Sequence, residues 1–374
     1  MQHKVLAMMI FTIFLGISGG ISWHAAEGQG LPSSTVLNLQ LGQGVRFVGR
    51  LETGKYTWIK SVSASANGKE VAAVSNWGEV HVWDVESLRL VRKFSHFDAS
   101  PSREGAQHGI GAATFSRDGK YVCMESISPV SIWQVATGEL VGKYQNEAAA
   151  ICAIAINDDG KQVALAGFAS GDNYKDLGIV ILWDWGKKAV KSFKPLNTER
   201  VAAVDFLPNG DRLAINSRLV VNDPAKLPRW RLSLWSTITL KLDYELPFDG
   251  FGDNTCYFDP KGKYLGAECE VPTGLGTMHM LRFWDIGARK PFRDAAWSQM
   301  YTYSPILPAV VVPGDHHKLM LVDYTNSSAH LLVEFNQKDE LPTAVRFSTD
   351  GRLLLVGTVL GNIYLFHVDN ETYE

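Results

Sequence analysis

The stretch AATFSRDGKYVCMESISPVSIWQV, residues 112–135, decides the fold. Ala113 and Phe115 alternate with their neighbours, the period of a strand with one packed face, and lead into a turn at Gly119. Val122, Cys123 and Met124 follow without polar alternation, as suits a strand covered on both faces. An aromatic residue, Trp133, comes some residues later.

The same order recurs along the chain. Turn glycines stand at Gly68, Gly119, Gly160, Gly210, Gly262 and Gly351. Six residues before them are Val62, Ala113, Ile154, Val204, Cys256 and Val345, and four before are Ala64, Phe115, Ile156, Phe206, Phe258 and Phe347. Three residues after come Val71, Val122, Val163, Leu213, Leu265 and Leu354. The 89 residues between Gly262 and Gly351 leave room for one further unit, MYTYSPILPAVVVPGDHHKLMLVDY, which lacks the turn glycine. The aromatic position is then filled by Trp83, Trp133, Trp183, Trp235, Trp284, Val322 and Phe366. Repeats of about 40–50 residues with this content read as four-stranded propeller blades. After Phe366 too little chain remains for a fourth strand in the last unit, whereas VRFVGRLE near residues 44–52 parallels the outer strand around 141–144. The expectation is an all-β, seven-bladed β-propeller closed by an N-terminal strand that completes the C-terminal blade, which hides otherwise exposed sheet edges.

The segments FSRDGKYV, VHVWDVESLRLVRKF and RFWDIGARKPF make residues 44–374 resemble the WD-repeat family of β-propellers. The resemblance implies an interaction platform, a non-catalytic scaffold for a protein or peptide. The Gly-His dipeptide common in that family is missing from most units here, so its histidine hydrogen-bond network is not carried over as a rule.

Composition agrees: 46% hydrophobic residues with 11 Trp suit a β protein built from large packing side chains. A net charge of −3 without any Lys or Arg run argues against nucleic acid as a partner. Residues 1–26 differ in kind. Lys4 precedes an apolar run, Val5 to Leu15, that fades through Gly and Ser toward small residues at 22–26, the plan of a signal peptide. Export to the periplasm or the medium is expected, with an uncleaved membrane anchor as the alternative. Residues 27–43, rich in Gly, Ser and Gln, read as a tether, and the protein is expected to be a monomer.

The four cysteines occupy slots that hold small packing residues in other repeats, so Cys123, Cys152, Cys256 and Cys269 read as buried free thiols, with Cys256–Cys269 the one plausible disulfide. His96, His108, His279, His316 and His317 fall in loops of different repeats, and no spacing brings them together as metal ligands; no metal and no cofactor are expected. His81, two before Trp83, reads as a structural histidine.

The separation of turn Gly from aromatic residue is 14 or 15 in the first, second and last repeats but 23, 25 and 22 in the third, fourth and fifth. Those insertions should share a face with the long connections 95–109 and 248–254, and insertions in repeat arrays gather on binding faces. Candidate partner-binding residues are Asp172, Tyr174, Lys226, Arg229, Trp230, Phe248, Phe251 and His279. The alternative is a propeller enzyme or redox-cofactor binder with its site at the mouth of the central channel. Few ionisable residues fall on the first strands, Asp205 and Arg346 among them, and no catalytic motif is present.

Overall fold

The computed structural model describes residues 39–54, 57–99, 109–125, 129–145, 149–169, 177–220, 229–248, 255–273, 276–296, 301–314, 317–326 and 328–373. Seven antiparallel sheets follow one another round a ring. They are blades one (59–95), two (112–144), three (149–193), four (198–246), five (256–296), six (302–335) and seven (342–368). The expected signal at 1–26 and most of the tether lie outside the described residues.

The turn glycines are conformational requirements: Gly68, Gly119, Gly160, Gly210, Gly262 and Gly351 all have φ between 68° and 76°. In blade two Ser116 Oγ donates to Asp118 Oδ1, which also accepts from the Lys120 amide at 3.0 Å, while the Tyr121 amide donates back to Ser116 Oγ. Ser348 and Asp350 build the same turn in blade seven. Beyond the turn, the second strand is fully enclosed. Val71, Val122, Val163, Leu213, Leu265 and Leu354 are all 0% exposed, and so are Ala73, Met124, Leu165, Ile215, Ala267 and Val356 two residues on. Each cluster of these side chains joins two neighbouring blades, so the core is a series of inter-blade layers. Full burial of a Val or Leu contributes roughly 1.5–3 kcal/mol.

Directly across from that first buried residue stands the repeat's aromatic position: Val71 faces Trp83, Val122 faces Trp133, Leu213 faces Trp235 and Leu354 faces Phe366. Blade six keeps the register with Val310 facing Val322, which places the degenerate repeat as expected. Its inner strand is only Thr302–Tyr303, and the missing bulk is supplied two residues later by Tyr324, 4% exposed. Tyr324 packs 5.5 Å from Phe283 and 5.3 Å from Tyr264 of blade five, and 6.0 Å from Tyr303. Gly266 lies beneath this aromatic cluster, where a Cβ would meet the Tyr303 hydroxyl at 2.7 Å.

Closure follows the expectation. Val45–Glu52 pairs antiparallel with Asn362–Val368, from Val45 opposite Val368 to Glu52 opposite Asn362. The segment expected to be a tether adds one more element. Leu39–Leu41 pairs with the outer strand of blade six, Leu39 opposite Phe335, as a fifth strand. Gly42 turns the chain from blade six to blade seven so closely that a Cβ there would overlap the Leu331 carbonyl oxygen at 1.6 Å.

Candidate functional site

The inner strands enclose an axial cavity of about 730 Å³, lined by residues of all seven blades. One register position, directly before the last packed residue of the inner strand, forms a layer of its wall in six of the seven blades: Thr114, Ala155, Asp205, Tyr257, Thr302 and Arg346 all line it. Toward the loop face the inner strands of blades one, three, four and seven each carry a bulge, at Lys60, Cys152, Ala202 and Thr343. Three of these bulged residues, Lys60, Cys152 and Thr343, line the cavity. The bulge explains a correction: Cys152 is exposed rather than packed, while Cys123, Cys256 and Cys269 are buried. All four thiols are free; Cys256 stands opposite Ala267 and Cys269 opposite Met280, out of register with each other.

The cavity is more highly charged than the inner strands alone suggest. Arg346 reaches past blade one to donate to the carbonyls of Phe115 at 3.3 Å and Ser116 at 3.1 Å in blade two. Arg117, in the turn of blade two, pairs with Asp158 of blade three at 3.0 Å and donates to the Pro260 carbonyl of blade five at 3.2 Å. These residues sit in first turns or at inner-strand ends, so the two guanidinium groups brace the end of the channel away from the loop face. Asp205 Oδ2 accepts from the Phe258 amide at 2.8 Å, joining blades four and five. Burial pushes the Asp205 carboxyl up to about 7, despite the lowering effects of that amide and of Arg117. Burial, reinforced by the charge of Arg117, brings Arg346 down to about 10. Tyr257 rests edge-on against Tyr301 at 5.2 Å, with its side chain 44% exposed, and its hydroxyl is pushed up to about 12 by burial first and then by the charge of Asp205. Lys60 and Lys261 add two further cations to the lining, and Arg117, Asp158 and Lys261 come from outside the first strands.

Away from the channel, Glu125 is 5% exposed, and burial raises its carboxyl to about 7. His96 corrects the expectation of a loop histidine open on the loop face. It is 1% exposed in the short 3-10 turn His96–Ala99, with Nδ1 2.6 Å from Ser131 Oγ, which accepts from Trp133 Nε1 at 3.0 Å. Burial, and then the charge of Lys143, lowers His96 to about 4. Blade two therefore has a His–Ser–Trp chain. Blade four has the Ser233–Trp235 pair at 2.9 Å, and in blade one His81 stacks on Trp83 at 5.6 Å as a buried side chain.

Of the residues proposed from sequence for partner binding, Asp172, Tyr174, Lys226 and Phe251 lie outside the described residues. Arg229 is exposed, and Trp230 is half-buried at the start of the strand Trp230–Ser236, with the Arg200 guanidinium 5.6 Å from its ring centroid. Phe248 packs on Trp284 at 5.7 Å as part of the core between blades four and five. His279 is not in a loop: the blade-five insertion continues the strands Tyr264–Thr273 and Gly276–Asp285 as a long hairpin, with His279 opposite Glu270. Sequence reasoning missed Trp58 and Trp77, which are 57% and 43% exposed. Trp58 precedes an inner strand and Trp77 lies in the turn between the second and third strands of blade one, so both stand on the loop face. The Asn76 amide donates to the Trp58 carbonyl at 2.7 Å and ties the two segments together. The signal was present in the tight Asn-Trp-Gly turn at 76–78, which has no room to fold a tryptophan into the core.

The chain is a seven-bladed β-propeller. No protein-family model matches it, and no curated protein matches it either.

Proposed function

We propose that this propeller is an exported, non-catalytic interaction scaffold, a divergent relative of the WD-repeat proteins, that binds a protein or peptide on its loop face. The observation that carries the reading is the exposed pair Trp58 and Trp77, held together by one backbone hydrogen bond on that face. Large aromatic side chains left in water are costly in solution and are frequent anchors of interfaces. Trp230, with Arg229 beside it, adds an aromatic and basic element on the same face at blade four. The repeat pattern and the His96–Ser131–Trp133 chain support the family reading. Such scaffolds bind through their surface, and fold alone is an analogy for function.

The test is capture from the exported fraction of the native host with wild-type protein, Trp58→Ala/Trp77→Ala and Arg229→Ala/Trp230→Ala, identified by quantitative crosslinking mass spectrometry. The wild type should enrich a defined partner that at least one folded double variant loses. Equal capture by all three, or no enrichment by the wild type, refutes the loop-face assignment.

A further inference from the structure

We propose that the axial channel is a binding site for a small organic anion bearing carboxylate or phosphate groups, seated beside the braced arginines Arg117 and Arg346 and Lys261 of the blade-five turn, at the end of the channel away from the loop face. This goes beyond the loop-face reading and does not depend on it.

Charge is the first support. The cavity wall carries Lys60, Arg117, Lys261 and Arg346 against only Asp158 and Asp205, although the chain as a whole is net negative at −3. The second support is how the cations are held. Both described hydrogen bonds of Arg346 go to neutral carbonyls, those of Phe115 and Ser116, and among the described residues no carboxylate lies within ion-pair distance of it. Carbonyl dipoles orient a guanidinium but leave its charge in place, and the acidic groups that act on Arg346, Asp205 and Asp118, do so without a direct ion pair. Asp158 is already engaged by Arg117, and one oxygen of Asp205 is taken by the Phe258 amide.

Geometry is the third support. The two guanidinium groups are fixed by backbone partners on blades two and five, so an incoming anion finds donors already in position and loses little in ordering them. Guanidinium groups bind carboxylate and phosphate through charge-assisted, often bidentate hydrogen bonds. A volume of about 730 Å³ suits a small molecule rather than a bare ion. The half-exposed side chain of Tyr257 offers that molecule a stacking face.

The experiment titrates the full protein with citrate and with pyrophosphate at matched ionic strength, using isothermal calorimetry and thermal melting; glycerol and putrescine serve as neutral and cationic controls. One of the two anions should bind with single-site stoichiometry and raise the melting temperature, and the controls should do neither. The anion that binds more tightly identifies carboxylate or phosphate as the favoured group. Arg346→Gln should weaken binding by about tenfold or more, the effect of about one lost charge-assisted interaction. Because Arg346 also braces blade two, Lys261→Gln provides an independent reading at an exposed position, with an expected weakening of about three- to tenfold. Binding that Lys261→Gln leaves unchanged, equal effects of putrescine, or no response to either anion beyond that of chloride would overturn the proposal.

Discussion

Blades two and six share a register and little else. Blade two has the turn glycine, the serine–aspartate turn, a tryptophan opposite its buried valine and a histidine behind that tryptophan. Blade six lacks the glycine, has a two-residue inner strand and puts Val322 in the tryptophan's place. Yet the residue two after the aromatic position donates its amide back to the chain just before the second strand in both, Val135 to Lys120 and Tyr324 to Pro308. The backbone ladder fixes where a blade's strands lie; side-chain volume between blades must then be filled, and it need not come from one residue. In blade six it comes from Tyr324 and Tyr303 together with Phe283 and Tyr264 of blade five.

The most severe way to break this comparison is to remove the strap that serves both the regular blade seven and the irregular blade six. Deleting residues 39–52 strips the outer strand from one blade and the fifth strand from the other. Loss of the cooperative thermal transition, with aggregation seen by light scattering, is the expected result. A deletion protein that stays monomeric and melts like its parent contradicts the closure mechanism.

Next come single truncations. Trp133→Ala and Tyr324→Ala should each cost about 3–5 kcal/mol in urea unfolding, whereas Val322→Ala should cost far less, about 1–2 kcal/mol. If Val322→Ala matches Trp133→Ala, the relocation of bulk to Tyr324 is wrong.

The histidine packed behind the tryptophan of blade two gives a pH signature. His96 falls from the ordinary 6.5 to about 4 in the folded protein, so between those values the unfolded chain holds more protons. Its contribution to stability therefore decreases as pH falls from about 6.5 and levels off below about 4, a difference of about 3 kcal/mol at most. Glu125 acts with the opposite sign: its carboxyl, raised to about 7, contributes stability at acid pH that is lost as pH rises from the ordinary carboxylate range through 7. Comparing His96→Gln with the wild type across pH 4 to 7 isolates the first effect, and a constant difference in stability would exclude it.

The smallest effect is chemical. In the native protein one thiol, Cys152, should react with a small disulfide reagent, and the other three only on unfolding. A count of reacted thiols by mass spectrometry in native buffer decides it, and Cys152→Ser should remove the native signal with little change in stability.

Repetition made the ring legible. Six glycines and their flanking apolar residues set the count of blades, and even Val322 was placed correctly because its distance from the neighbouring repeats left one position for it. What escaped had no repeat to compare with. Leu39–Leu41 is too short for alternation to show, and the hairpin through Val271 and Met278 reads as a loop because it contains glycine and proline. The channel was underestimated because half of its charges come from outside the first strands, with Arg117, Asp158 and Lys261 in turns, and because Lys60 is turned inward by a bulge that alternation does not show. His96 looked like a loop residue because nothing in its local sequence reports the Ser131 waiting in the next blade.

The pairing of the first blade-completing strand with the last has a consequence in time. Thr53 hydrogen-bonds Gly361, 308 residues further along, so the contact that seals the ring spans almost the whole chain. A polypeptide made from its N-terminus onward must keep Val45–Glu52 unpaired until Asn362–Val368 has been synthesised. Contacts of such separation fold slowly, and until they form both strands are open edges. A ring of this kind remains open throughout its own synthesis and locks only once its last strand has been made.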